Sequence, residues 1–190
     1  MTVSRLLLSA LLAFTFAHAS ADDYSDTLKV FRGAGQSAKF FGSSYGYAVF
    51  PTIGKGGIGI GGAHGSGRVY AKGAHVGDTS MTQITIGLQL GGQAYSQIIF
   101  FQDKRAFDEF TSGNFEFGVQ ATAVAITAGA SAQATTGGTS AGASSAGAAG
   151  HASTASEYRK GMAVFTVAKG GLMYEASIGG QKFSYEARKK

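Results

Sequence analysis

The chain of 190 residues contains no cysteine. This absence excludes disulfides, thiolate chemistry, cysteine-ligated metal sites and a lipid-modified N-terminal cysteine. Charged residues are also few, at 14% of the chain against about a quarter in an average protein. The charge that remains is basic, with a net charge of +5 and an isoelectric point near 9.5. This balance favours anionic partners such as phospholipid head groups or acidic polymers.

Groups of residues that could carry out catalysis are missing as well. No pair of histidines or of glutamate and histidine has metal-ligand spacing, and no serine lies in a nucleophile elbow. Residues 54–59 match G-x-G-x-x-G, but a strand pattern follows where a dinucleotide site requires a helix. We therefore expect no enzyme activity, no catalytic residue, no metal site and no cofactor.

The first 21 residues resemble a signal peptide. Arg5 precedes an apolar run over 6–16 that is too short to cross a membrane, and Ala19-Ser20-Ala21 is a small-residue cleavage site. We predict cleavage after Ala21, with cleavage after Ala19 as the alternative. The remaining residues, 22–190, are then one exported domain that is periplasmic or secreted, or peripheral to the outer membrane.

Glycine is abundant, with 30 residues, and its pattern is most regular over Gly46–Tyr70. Apolar residues alternate with glycine there, which is typical of a strand with one bare face. The pattern predicts a strand at 46–50 and a hairpin of 57–63 with 68–72, turning at 64–67. Residues 161–171 (GMAVFTVAKGG) repeat residues 46–57 (GYAVFPTIGKGG), which indicates two related hairpins, unless the match is due to chance.

The rest of the chain predicts an α+β fold with an antiparallel, strongly twisted β-sheet or partial barrel. An amphipathic helix at 24–41 precedes the sheet, and a short helix at 103–111, capped by Asp103, interrupts it. Residues 135–156 are almost wholly Ala, Gly, Ser and Thr, which predicts a flexible loop. The further predicted strands are 81–90, 94–101, 161–167, 171–178 and 182–187, with a long alternating segment over 115–133.

The N-terminal helix has two possible roles. Its apolar face docks on the sheet, or it lies in a membrane surface, because basic residues opposite aromatic ones suit an anionic interface. In the second case Val30, Phe31 and Phe41 enter the interface. The head groups are then bound by Lys29, Arg32 and Lys39.

Two Lys-Gly-Gly segments offer a second kind of anion site. Lys55 and Lys169 each precede two glycines, whose exposed amides can form a nest for a phosphate-like anion. The alternative is that each segment is a plain turn with a solvated lysine.

Four blocks of the sequence resemble the SYLF domain family in its bacterial exported form. They are GYAVFPTIGKGGIGIGGAHGSGRVY, SMTQITIGLQLGGQAYSQIIFF, NFEFGVQATAVAITAGASA and KGGLMYEASIGGQKFSY, and they span about residues 45–185. The resemblance implies a non-enzymatic α+β domain that binds phospholipid, phosphoinositides in some members, through an N-terminal amphipathic segment. Fungal relatives bind actin, but actin is absent outside a bacterial cell, so actin is a partner by family analogy only.

Together these observations predict a protein that binds anionic phospholipid at a membrane surface and does not bind nucleic acid. One alternative is a structural or adhesive envelope protein without a lipid site. Another is a small outer-membrane β-barrel, against which the two helices and the Arg-Lys-Lys terminus argue. The predicted lipid-binding residues are Lys29, Val30, Phe31, Arg32, Lys39, Phe41, Lys55 and Lys169.

Overall fold

The computed structural model describes residues 21–87, 92–119, 121–126, 157–169 and 178–189. Residues 1–20 of the predicted signal peptide, the predicted loop at 135–156 and all but the last residue of the predicted strand at 171–178 lie outside these ranges. Within them, no helix is long and apolar enough to cross a membrane. The elements are α1 (Ala21–Gly33), α2 (Gly35–Ala38), α3 (Phe40–Ser43), β1 (Gly46–Ala71), β2 (Ala74–Gly87), β3 (Gly92–Phe101), α4 (Lys104–Phe110), β4 (Phe115–Glu116), β5 (Val124–Ile126), β6 (Met162–Lys169) and β7 (Lys182–Ala187).

The strands form one sheet in the order β4-β7-β2-β1-β3-β6-β5. The predicted α+β class is confirmed. The prediction of a wholly antiparallel sheet is wrong for one pair, because β5 runs parallel to β6. A parallel pair needs a long crossover connection, and residues 127–161 between these two strands supply the length.

Strand β1 is unusually long, and its first and second halves lie side by side. Its residues 46–56 pair with β3 and its residues 59–71 pair with β2. The two halves also touch, since Tyr47 stacks on Tyr70 with ring centroids 5.1 Å apart, while Gly67 and Gly65 lie against Phe50 and Ile53. As residue numbers rise along the first half, the residues they contact in the second half fall, so the two halves are antiparallel and the chain reverses direction between them.

The reversal lies near Gly57, where an added Cβ would come within 2.5 Å of the Ile60 carbonyl oxygen. The hairpin turn predicted at residues 64–67 is therefore wrong, because the strand continues through them. Gly65 and Gly67 occur there for another reason: each faces a large buried side chain of the other half, and an added Cβ would lie 2.6 Å from it. The turn into β2 is made at Lys72 and Gly73, both with positive φ.

The sheet has a hydrophobic core on each side. We call the side that carries Phe50, Phe101 and Phe183 the inner face, and α4 packs there through the buried Phe110. Asp103 caps α4 by accepting a hydrogen bond from the backbone N–H of Ala106 at 2.9 Å, as predicted. We call the opposite side the outer face. It is covered by α1–α3, whose Tyr24, Phe31 and Phe40 pack on Val49, Ile98, Phe100 and Phe165.

The N-terminal helix is confirmed only in part, because it is broken into three pieces. Ala34 has an extended conformation (φ −85°, ψ 114°), and Lys39 separates α2 from α3. Gly33 and Gly35 flank the first break, where their low helix propensity makes interruption inexpensive. The Ser37 hydroxyl donates to the Phe31 carbonyl at 2.6 Å and so ties α2 back to the end of α1.

The two repeated segments flank β3 on opposite sides. Phe50 of β1 pairs with Gln97, whereas the matching Phe165 of β6 pairs with Ile98. This offset of one residue turns the second copy over, because successive side chains of a strand point to opposite faces. Phe50 therefore lies in the inner core and Phe165 in the outer core.

Candidate functional site

The apolar residues predicted to enter a membrane lie mostly under the helices. Phe31 is fully buried against the sheet, so it is closed to a lipid surface in this arrangement. Phe41 is half-buried, with its ring edge-on to Phe100 at 4.9 Å. Only Val30 points outward, with 49% of its surface exposed. The helix segment thus docks on the sheet through its aromatic residues.

The basic residues of the same segment are all exposed. The Arg32 guanidinium lies 4.2 Å from the centre of the Phe41 ring, and the Lys39 ammonium lies 5.3 Å from that of Phe40. Such cation–π contacts contribute about 0.5–1 kcal/mol each at exposed sites. Neither cation has a carboxylate partner in the described part of the chain. Lys29 differs, since it pairs with Asp26 at 2.9 Å.

A further cation, Arg68 on β1, belongs to the same surface. Its guanidinium lies 4.1 Å from the centre of the Tyr24 ring on α1. Sequence reasoning missed this residue, because only the docking of α1 on β1 brings the two together. No local pattern could have indicated the contact.

Burial makes two tyrosines of this surface harder to ionise. Desolvation raises the pKa of Tyr47 against the opposing effect of Arg32, and it raises the pKa of Tyr24 against that of Arg68. A phenol with its usual pKa near 10 is already protonated at neutral pH, and the raised pKa keeps these two protonated at still higher pH, so neither contributes negative charge. The Arg32 guanidinium remains available to an external anion, whereas Arg68 lies opposite Asp78 of β2.

The two Lys-Gly-Gly lysines do not form one site. Lys55 pairs with Gln93 and Lys169 with Ala94, which are successive residues of β3. The two lysine side chains therefore project from opposite faces of the sheet. Lys169 donates to the Thr52 hydroxyl at 2.7 Å on the outer face. The glycines after Lys169 lie outside the described residues.

An open groove lies beside α3, with a volume of about 570 Å³. Its walls carry both a cation and a carboxylate. It was not predicted from the sequence, because α3, the end of β3 and the start of β6 meet there. Nowhere in the described ranges do three or more His, Asp or Glu residues gather where they could hold a metal ion. The groove is lined by Lys39, Phe40, Ser43, Gln102, Glu157 and Tyr158.

Comparison with known proteins relates most of this chain to one family. The family model described as "Ysc84: Las17-binding protein actin regulator" matches residues 82–189. A curated protein named beta cell expansion factor A, from Aeromonas veronii, is 27% identical over 160 residues. That match covers 82% of this chain and 51% of the relative, so the chain spans about half the length of that protein.

Proposed function

Because the chain belongs to the Ysc84 family, which includes the SYLF domain, we propose that it binds anionic phospholipid at a membrane surface and catalyses no reaction. We further propose that it is exported, so that the membrane is one of the cell envelope. The observation that carries the proposal is the basic surface formed by Lys29, Arg32, Lys39 and Arg68. Arg32, Lys39 and Arg68 contact aromatic residues on the side of the sheet covered by α1–α3, and Lys29 is exposed on α1 itself.

The docked helices suit a surface that binds a membrane through its cations without inserting a helix into the bilayer. The aromatic residues of α1–α3 are already used to dock the segment on the sheet, and this docking holds the cations in place. A basic residue next to an anionic membrane contributes roughly 1 kcal/mol. Lys29, Arg32 and Lys39 together therefore account for about a hundredfold in affinity, less whatever the Asp26 pair of Lys29 removes.

Sedimentation with vesicles tests the proposal. Substituting Lys29, Arg32 and Lys39 by Gln should weaken binding to phosphatidylglycerol vesicles on the order of a hundredfold. Wild-type binding should also fall as salt is raised, because charges are screened within about 10 Å at 0.1 M ionic strength. The matched control is Lys104→Gln with Arg105→Gln on α4. These residues are similarly exposed but paired with Asp108 and Glu109, and the control should bind like wild type.

Two results would count against this surface. If the triple variant binds normally while Lys55→Gln with Lys169→Gln fails, the Lys-Gly-Gly segments hold the anion. If wild-type protein binds no anionic vesicle, a structural or adhesive role replaces lipid binding. Sedimentation with actin filaments in parallel tests whether the regulatory role named in the family description extends to this chain.

A further inference from the structure

The outer face of the sheet is only partly covered. The helices α1–α3 pack over the part of the sheet around Val49, Ile98 and Phe165. Farther along β1 and β2, toward the reversal near Gly57, the outward residues are exposed. Two of them are large and apolar: Ile60 is 71% exposed and Ile84 is 80% exposed.

These two isoleucines lie together. Gly62 pairs with Ile84 and Ile60 pairs with residue 86, so Ile60 and Ile84 are diagonal neighbours on one face of the hairpin. Among the described neighbours, Gly62 pairs with Ile84 without a side chain of its own, and a Cβ added to Gly54 on the adjacent half of β1 would meet nothing within 4 Å. Ile60 and Ile84 thus form an exposed apolar pair at this end of the outer face.

We propose that Ile60 and Ile84 are the apolar anchor of this protein and enter the hydrocarbon boundary of an anionic bilayer. This inference rests on the proposed function and adds to it the apolar side chains that insert into the bilayer. Charge complementarity favours a bilayer as the occupant. Lys169 lies at the same end of the sheet and on the same outer face, and the cations of α1–α3 project from that face too. Apolar groups flanked by cations on one side match the layering of an anionic membrane surface.

The absence of tryptophan from the sequence allows a direct test. A single Ile84→Trp substitution places the only indole at the proposed anchor. Val119→Trp is the control, because Val119 is 81% exposed but lies beside Gly179, whose carbonyl accepts from the inner-face side chain of Gln83, and so belongs to the other face of the sheet. Both variants are mixed with vesicles of equal parts phosphatidylcholine and phosphatidylglycerol, with and without brominated acyl chains. We expect a blue shift and bromine quenching for Ile84→Trp, and neither for Val119→Trp.

Binding strength supplies the second measurement. Burying an isoleucine side chain is worth about tenfold or more in affinity. Ile60→Ser with Ile84→Ser should therefore weaken vesicle binding on the order of a hundredfold. Because this loss is hydrophobic, it should persist at high salt, unlike the loss caused by removing the helix cations.

The outcomes separate the two proposals. If Ile84→Trp sediments with vesicles but is neither shifted nor quenched, the anchor is overturned while the proposed function stands. If the wild-type protein does not sediment with these vesicles either, the proposed function itself fails. If the blue shift appears on raising the protein concentration without vesicles, a second copy of the chain covers the apolar pair, and the bilayer anchor is overturned.

Discussion

Replacing Gly67 with alanine should destabilise the protein by about 1–2 kcal/mol. The added methyl group would lie 2.6 Å from two ring carbons of Phe50 and 2.8 Å from the Val49 carbonyl oxygen. Carbon atoms in contact prefer about 3.5–4 Å, so the ring must move by roughly 1 Å. The ring is fully buried and packs on Phe183, with centroids 5.7 Å apart, so it cannot move freely.

The magnitude follows from two opposing effects. Overpacking a tight core costs about 1–3 kcal/mol. Replacing glycine also reduces the freedom of the unfolded chain, which stabilises the fold by about 0.4–1 kcal/mol. Gly54→Ala is the matched control, because Gly54 lies in the same strand and an added Cβ meets nothing within 4 Å. That variant should be at least as stable as wild type.

Urea unfolding followed by circular dichroism measures these differences, provided that the slope with denaturant is unchanged. A double variant, Gly67→Ala with Phe50→Leu, removes the ring that the methyl group meets. Its loss should be smaller than the sum of the two single losses. Equal stability of Gly67→Ala and Gly54→Ala would refute the close packing of the two halves of β1.

Two further predictions concern a buried polar group on the inner face. The amides of Gln97 and Gln181 donate to each other, at 2.9 and 3.2 Å, and Gln181 also donates to the Tyr95 hydroxyl at 3.1 Å. Gln181→Leu should lower the free energy of unfolding in urea by about 1–3 kcal/mol, because it leaves buried partners unsatisfied. Introducing Gln97→Leu into the Gln181→Leu variant should cost less stability than Gln97→Leu costs in the wild-type protein. Burial also raises the pKa of Tyr95, so its stabilising contribution is complete below about pH 10, where the unfolded phenol ionises, and declines above it. Tyr95→Phe should therefore lessen the loss of stability between about pH 9 and 11, and an unchanged pH dependence would contradict this.

Alternating patterns in the sequence predicted most strands correctly. The predicted strands at 94–101, 161–167 and 182–187 are confirmed as β3, β6 and β7, and that at 81–90 overlaps β2, which starts earlier. The reversal within β1 was missed because glycine-rich segments suit a turn and a close strand contact equally well. The parallel pair of β5 and β6 was missed because pairing across a long connection leaves no local signal.

The sequence predicted which residue types form the candidate site, but it did not predict which of them are buried and which are exposed. Helical periodicity put Phe31 on the apolar face of the helix, and the structure buries it. It also put Val30 there, which is half exposed, and favoured Phe41 over Phe40, although Phe40 is the more deeply buried ring. The extended backbone of Ala34 changes the phase of the helix, so a continuous period fails beyond it.

The one-residue offset between the repeated segments has an evolutionary consequence. In β1, Tyr47 lies in the outer core, whereas its counterpart Met162 in β6 lies in the inner core. The Phe50 ring packs against Gly67, while the Phe165 ring packs against Phe40. If both segments descend from one duplicated ancestor, matching positions have since been selected against different neighbours. Their remaining likeness then reflects the shared backbone pairing with β3, and substitutions accepted in one copy are no guide to those accepted in the other.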